Sequence, residues 1–518
     1  MSEGTYPTDP RPAASAARPV APVGPRFRWP PIIITLFALG ACAVIGAVAV
    51  DRPIIAVAGL AAMLLGLASA IRPEVATLIV VFLLYSNAAV IAVTRFGAPV
   101  FVGAVVPMIL VVPLGYELLI KRNRIVITPA FPWVVGFLLV QILGVLFARD
   151  MSDAMNGLTT FLLEGVGLYL LVVNVVRTPA AMRNVIWTLL AVGAFLGGLS
   201  VYQALTGTYA NDYLGFAQSD ATNDLGIVVK GLARLAGPIG EKNRYAQIML
   251  MLVPLALFQA WTEKRRVLKI AAYVVAVLVS GAVILTFSRG AAVGFALVIV
   301  IMTVLRYIKP IQLFAVLLLA VSLLIAVPQY ADRLTSLSAI VDTVASGGDT
   351  TNQADNSITS RATENLAALA VFSDHPLIGV GPGEFSAFYR QYANDVAINV
   401  KAEDRQAHNL YLATAAETGI LGLICLMAVL LVTLWELAKA RRKWLGRRTD
   451  LANMATAFSL SVVTYMTTGI FLHLSYARYF WLIMALAGAA AVIALAEPDP
   501  DEKPKVHAEP FRGPRVNP

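Results

Sequence analysis

Charge, cysteine and histidine are all scarce in this chain. Of 518 residues only 14% are charged, against 58% hydrophobic, where a soluble globular domain carries about 25% charge. That balance excludes an ordinary soluble fold. The two cysteines, Cys42 and Cys425, sit far apart inside apolar runs, so neither a disulfide framework nor a thiolate metal site is implied. Four histidines are too few to suggest a histidine-cluster metal centre. Residues 1–30, rich in Pro and Ala, lack a short apolar core followed by a small-residue cleavage site; they read as a disordered tail and not as a signal peptide. The net charge of +9 does not point to nucleic acid, because the basic residues gather in short loops between apolar runs, the pattern that orients a membrane protein.

What the chain has is oil. Mean hydropathy is +0.74, and apolar runs of about 20 residues, enough to cross roughly 30 Å of hydrocarbon, recur along its length. These runs are far longer than the roughly ten alternating residues of a barrel strand. The expected fold is therefore all-α and polytopic, with about fourteen transmembrane helices. They are placed near 31–50, 53–71, 75–94, 100–120, 128–148, 157–176, 184–206, 245–262, 268–287, 291–305, 310–328, 409–435, 452–473 and 478–496. With the N-terminus cytoplasmic, Lys121–Arg124, Arg177 with Arg183, Lys264–Lys269, Arg306 with Lys309, and Lys439–Arg448 all fall inside. Both tails, 1–30 and 497–518, are then cytoplasmic.

Two long segments, 207–244 and 329–408, fall outside. Loops of that length are functional or disordered, and 329–408 is not disordered in composition. "RLTSLSAIVDTV" and "RATENLAALAVF" have apolar residues near helical spacing, the second closed by "SDHP", where proline ends a helix. In "FSAFYRQY", Phe385, Phe388, Tyr389 and Tyr392 share one helical face. A small helical extracytoplasmic cap between spans 31–328 and 409–496 is expected.

The outward segments carry the chemistry. Arg234 and Arg244 flank "GPIGEKN", and Arg289 lies in "FSRGA" with almost no loop around it. A charge at membrane depth is costly unless it is paired or lines an aqueous cavity, and the arginine fork suits phosphate; the plainer alternative is snorkelling to the interface. "HPLIGVGPGEF" (375–385) superficially suggests a nucleotide loop, but no strand precedes it, and a tight turn allowing close backbone approach fits better. His408 stands at or just before a helix start, with Asn409 as candidate cap; it is either a capping or filling histidine or a neutral base. Acidic metal motifs are missing from the outer face: "DPD" at 499–501 lies in the tail, and the first outward loop is only Asp51 and Arg52.

In order along the chain, Arg234 with "GPIGEKNRYA", "FSRGA", "GVGPGEF" and "HNLYLATAAETGILG" resemble the O-antigen ligase and polysaccharide polymerase superfamily of bacterial envelopes, over roughly 200–490. The resemblance implies a bacterial inner-membrane glycosyltransferase with a periplasmic active site. It would move a glycan from an undecaprenyl-pyrophosphate donor to a hydroxyl of a glycan or lipid-core acceptor, without metal or cofactor; direct attack at C1 would invert the anomeric centre, and no second carboxylate for a double displacement stands out. It implies that Arg234, Arg289 and, less directly, Arg244 hold pyrophosphate, and that His408 is the base. Arg361, Asn409, Gly381 and Gly383 are further candidates for substrate contact. The chain's length leans towards polymerase over ligase; protein O-glycosylation is an alternative in the same family. A secondary transporter is the rival from another class, favoured by intramembrane charges such as Glu164 but lacking the internal repeat that such folds show.

Overall fold

Glu241, Asn409 and Ser288 each start a helix by accepting hydrogen bonds from the first free amides, and those three starts set out the functional half of the molecule. The computed structural model describes residues 72–99, 101–220, 233–326, 356–396, 405–474 and 477–499. The expected spans at 31–50 and 53–71, and the stretch "RLTSLSAIVDTV", lie outside these residues.

Every expected span inside the described residues contains helix. In chain order these are α1 (Pro73–Tyr85), α2 (Ala88–Phe96), α3 (Phe101–Met108), α4 (Val111–Gly115), α5 (Phe131–Leu146), α6 (Met151–Thr160), α7 (Leu168–Val175) and α8 (Pro179–Thr206). A two-stranded antiparallel hairpin follows, β1 (Gln218–Asp220) with β2 (Arg234–Gly237). Then come α9 (Lys242–Thr262), α10 (Arg266–Leu285), α11 (Arg289–Val304), α12 (Pro310–Ala326), α13 (Asn356–Asp374), α14 (Phe385–Val396), α15 (Leu410–Trp444), α16 (Thr449–Thr468) and α17 (Ala477–Ala496).

The molecule is mostly helical, and seven of its described helices are long and apolar enough to cross a membrane. Fourteen unbroken spans is a larger count than this. The run expected at 75–94 is two helices bent by 57°, because Asn87 between them has a left-handed backbone (φ 62°). The runs near 100–120, 128–148 and 291–305 give shorter apolar helices. Hydropathy measures composition and does not register such backbone breaks. The run at 157–176 is extended backwards to Met151 by the Asp150 cap, and passes through a π-helical turn, Phe161–Gly167, before α7.

Two helices form the interior. The apolar windows of α9 and α17 are each 83% buried, against 33% for α10, so α9 and α17 are the central pillars and α10 a peripheral helix. Around them, α9 packs on α10 and α16, and α15 packs on α5, α16 and α17.

Above this lies a second, smaller apolar core. α13 and α14 pack on one another and α13 packs on α15, burying Ala367, Ala368 and Val371 with Phe385, Tyr389 and the first turns of α15. The face predicted for "FSAFYRQY" is the buried one: Phe385 and Tyr389 are fully buried, and Phe388 packs on the same cluster. α13 ends at Asp374, just ahead of Pro376.

The two cores are joined at a break in α15. Gly419 has φ 63° and ψ −167°, a combination open essentially to glycine alone. The amides that this break frees turn outward to a different partner. Ile420 N–H donates to the Pro376 carbonyl, while Val380 N–H and Gly381 N–H donate to the carbonyls of Ala416 and Glu417, at 2.8–3.0 Å. A Cβ on Gly419 would lie 2.3 Å from the Leu377 carbonyl carbon, and one on Gly379 2.3 Å from that of Glu417. Gly419→Ala should therefore destabilise the protein by at least about 3 kcal/mol, through backbone strain and overlap together. Gly446→Ala, also at positive φ but with open space around it, should cost only about 1 kcal/mol. Thermal unfolding in detergent reads the difference; equal losses would mean that the close approach at Leu377 contributes nothing.

Candidate functional site

"TFSRG" is built for a sharp reversal. Phe287 takes a left-handed backbone (φ 52°), Ser288 caps α11 through a hydrogen bond from Ala291 N–H, and Arg289 is the first helical residue. Gly290 lets Phe471 lie against the helix: a Cβ there would be 2.9 Å from that ring. Arg234, at the start of β2, holds the same reversal from outside. Its Nε–H donates to the Thr286 carbonyl at 2.8 Å, and Nη2 donates to the Phe287 carbonyl at 3.2 Å. Nη2 also reaches the Asn243 side-chain oxygen at 3.5 Å. Arg234 and Arg289 are thus brought to one turn, although 55 positions of sequence, by their numbering, separate them.

Arg244 is placed differently. It is 2% exposed, its Nη1 donating to Gln247 at 3.0 Å and its Nη2 to the backbone carbonyl of His473 at 2.5 Å. A fork committed in this way positions protein and is poorly placed to clamp a ligand.

His408 immediately precedes the cap residue of α15. Asn409 accepts from the amides of Tyr411 and Leu412, as expected of a cap. The His408 Nδ1 lies 2.6 Å from Oε2 of Glu364, which is buried on α13. A carboxylate only accepts, so Nδ1 carries the hydrogen, and in the neutral ring Nε2 keeps the lone pair. The His473 ring stands edge-on to His408, with centroids 5.6 Å apart. Burial first, then the neighbouring Arg244 charge and His408, push His473 down to about 3. It is neutral throughout the physiological range.

Arg361 is one turn before Glu364 on α13, a spacing that puts both on one helix face. Gly381 and Gly383 have φ 112° and 79°. They form the turn that docks on the α15 break, wedged against α5 and α6: the positions a Cβ would take on Gly144 and Gly157 lie 3.3 Å from Gly381 and 3.0 Å from Pro382. Glu417, in the last turn before the break, accepts from the amides of Gly383 and Phe385, and Glu384 accepts from Asp150 N–H at 3.1 Å. Burial raises Glu384 above the usual carboxyl range.

Beside His473 opens a cavity of about 430 Å³. Its walls include Glu164 from the π-turn, Glu417, Arg478 and Trp481. Arg478 faces Glu164 at 3.5 Å and donates to Asn87 at 2.9 Å. Glu164 therefore has a cation beside it.

Sequence reading did not find Glu364, His473 or Arg478. Glu364 had a signal: it shares the stripe of Ala367, Ala368 and Val371, so an acidic residue lies on the apolar face of an amphipathic helix. His473, at the end of the run expected at 452–473, had only its isolation.

Residues 274–427 match the family model described as O-antigen ligase. No curated protein matches the chain. The matched segment contains Arg289, Arg361, Glu364, Gly381, Gly383, His408 and Asn409; Arg234, Arg244, Glu164, His473 and Arg478 lie outside it.

Proposed function

Because residues 274–427 match the family model described as O-antigen ligase, we propose that the chain is an inverting, metal-independent glycosyltransferase of the O-antigen ligase and polysaccharide polymerase type. It moves a glycan from undecaprenyl pyrophosphate to an acceptor hydroxyl at the periplasmic face of the bacterial inner membrane, both termini being cytoplasmic. The observation that carries this reading is the His408–Glu364 pair, which stands against His473, whose carbonyl accepts from Arg244, next in sequence to the Asn243 that Arg234 reaches: a base with an oriented ring, linked through these contacts to the arginine turn. The acceptor oxygen attacks C1 of the glycan as its proton passes to His408 Nε2. The C1–O bond to phosphate breaks, and undecaprenyl pyrophosphate leaves. Arg289 and Arg234 stabilise the charge that develops on the leaving group; preorganised charge in a water-poor site can do this without a metal ion. Glu364 stabilises the imidazolium as it forms, as the carboxylate does in other histidine–carboxylate pairs. Arg244 acts through the His473 segment, and Arg361 and Asn409 position α13 and α15 about the base.

Glu364→Gln keeps the size and hydrogen bonding of the side chain but removes its charge. We expect a transfer rate lower by about 10–10²-fold, with an altered pH profile, while Glu364→Asp recovers part of the rate. A glutamine variant with normal rate and pH profile would remove Glu364 from the mechanism.

The distinction between ligase and polymerase is read from a deletion strain. Accumulation of lipid-linked single repeats identifies a polymerase; full-length unattached chains identify a ligase. An unchanged surface glycan, with loss of a glycosylated protein, would assign the acceptor to protein.

A further inference from the structure

The two sides of His473 differ in charge. On one side the backbone carbonyl accepts from Arg244, in the neighbourhood of Asn243, Arg234 and the Arg289 turn. On the other lies the cavity, which has two carboxyl side chains, Glu164 and Glu417, one guanidinium, Arg478, and no lysine. That guanidinium already faces Glu164. Such a wall offers little to pyrophosphate and much to hydroxyl groups, which carboxylates and amides accept and donate to in turn. The volume of about 430 Å³ falls within the roughly 300–1,000 Å³ of small-molecule sites. Three rings line it: Trp481 and Phe161 lie 5.2 Å apart and Phe137 5.2 Å from Phe161. The Trp481 indole N–H is fully buried and has no hydrogen-bond partner among the described residues. Polar tips on an apolar floor are the usual make-up of a pocket that fixes a ligand's orientation. The π-turn that carries Glu164 into the wall is itself a feature found disproportionately at functional sites.

We infer that this cavity is the subsite for the sugar that supplies the acceptor hydroxyl, with Glu164, Glu417 and Arg478 as its polar contacts and Trp481 in its floor. The inference rests on the transferase reading above. Its position fits the chemistry: His473 is a shared wall, and Gln406, two residues before His408, lines the same cavity. An acceptor held there lies beside the base, while the anionic leaving group lies towards the arginines. The charge on Glu164, which would suit a transported ion, is thereby given a role in recognising a hydroxylated ligand. The Gly381–Gly383 turn enters as wall: Pro382 and Gly383 line the cavity, and Glu417 holds that turn by its amides.

Thr160 lines the cavity and is otherwise exposed, so Thr160→Trp fills the space with little risk to folding. The test uses the full chain in detergent with two probes, inorganic pyrophosphate and the host's own surface glycan freed of lipid by mild acid. We expect Thr160→Trp to weaken glycan binding at least about tenfold and to leave pyrophosphate binding unchanged. Glu164→Gln, nearly isosteric, should weaken glycan binding several-fold in the same direction. Arg289→Lys should do the reverse, weakening pyrophosphate alone. Glycan binding indifferent to both cavity variants, with pyrophosphate binding intact, would overturn the subsite and leave the transferase reading standing. Failure of the unsubstituted chain to bind either probe would overturn both.

Discussion

If His408 is the general base of the proposed transfer, His408→Gln should reach the membrane, retain its donor, and transfer glycan at least about 10²-fold more slowly than the unsubstituted chain. Glutamine keeps hydrogen-bonding groups near Glu364 but cannot take a proton at neutral pH. His408→Asn should behave alike. The arrangement makes the expectation specific. A structural histidine ahead of a helix would matter for packing, yet the α15 cap is made by Asn409 and does not need the imidazole. A buried carboxylate 2.6 Å from Nδ1 orients the ring and leaves Nε2 as the basic nitrogen. His473 cannot replace it, being held neutral with a value of about 3, too weak a base to accept the acceptor's proton. His375→Gln is the control. That histidine is exposed and lies edge-on to Phe388 at 6.0 Å, so its replacement should leave transfer nearly unchanged. Normal transfer by purified His408→Gln would return His408 to a packing role. An equal loss for His375→Gln would mean that the wrong loop histidine had been assigned.

Arg289→Lys should lower transfer by about 10²-fold or more, with expression unchanged, because lysine keeps the charge but loses the planar fork that matches phosphate oxygens. Arg234→Lys should reach a similar loss by a second route as well. Its guanidinium accounts for the bonds to the Thr286 and Phe287 carbonyls, and a single ammonium cannot span both while reaching Asn243. The reversal that presents Arg289 would then loosen, so Arg234→Lys should lower thermal stability where Arg289→Lys does not. Measuring donor dependence and unfolding temperature on both variants separates the roles. If both lysine variants transfer normally, neither arginine holds pyrophosphate and the snorkelling account of Arg289 gains.

These expectations rest on features that the sequence displays to unequal degrees. The helices were legible because composition and period are local: the face of "FSAFYRQY", the proline stop after Asp374 and the Asn409 cap can each be read within a dozen residues. The loop motifs could be ordered along the chain, which is enough to suggest a family. What brings them together is non-local. Gly419 in "AETG" lies inside a run read as one unbroken span, and "GVGPG" reads as a separate tight turn; in the fold the turn's Val380 and Gly381 amides donate to the Ala416 and Glu417 carbonyls just before Gly419. Glu364 and His408 meet across 44 positions, and nothing in the helical period of α13 says which helix its buried acid will face. Arg478 and Glu164 are the extreme case, each an isolated charge in an apolar run until α17 lies beside the π-turn. The span count is less legible for a related reason: hydropathy adds up side chains and gives no warning of Asn87 in a left-handed conformation or of a short helix, and among the described residues seven helices are long and apolar enough to cross.

The most direct test of the account is transfer by the purified chain, reconstituted in liposomes with an undecaprenyl-pyrophosphate-linked glycan and its acceptor, in the presence of EDTA. The account predicts a glycosylated acceptor with inverted anomeric configuration, one undecaprenyl pyrophosphate released for each glycan moved, and no loss of rate on chelation. Movement of the lipid-linked glycan across the bilayer with its pyrophosphate bond intact, and no glycosylated acceptor, would contradict it and make the protein a transporter.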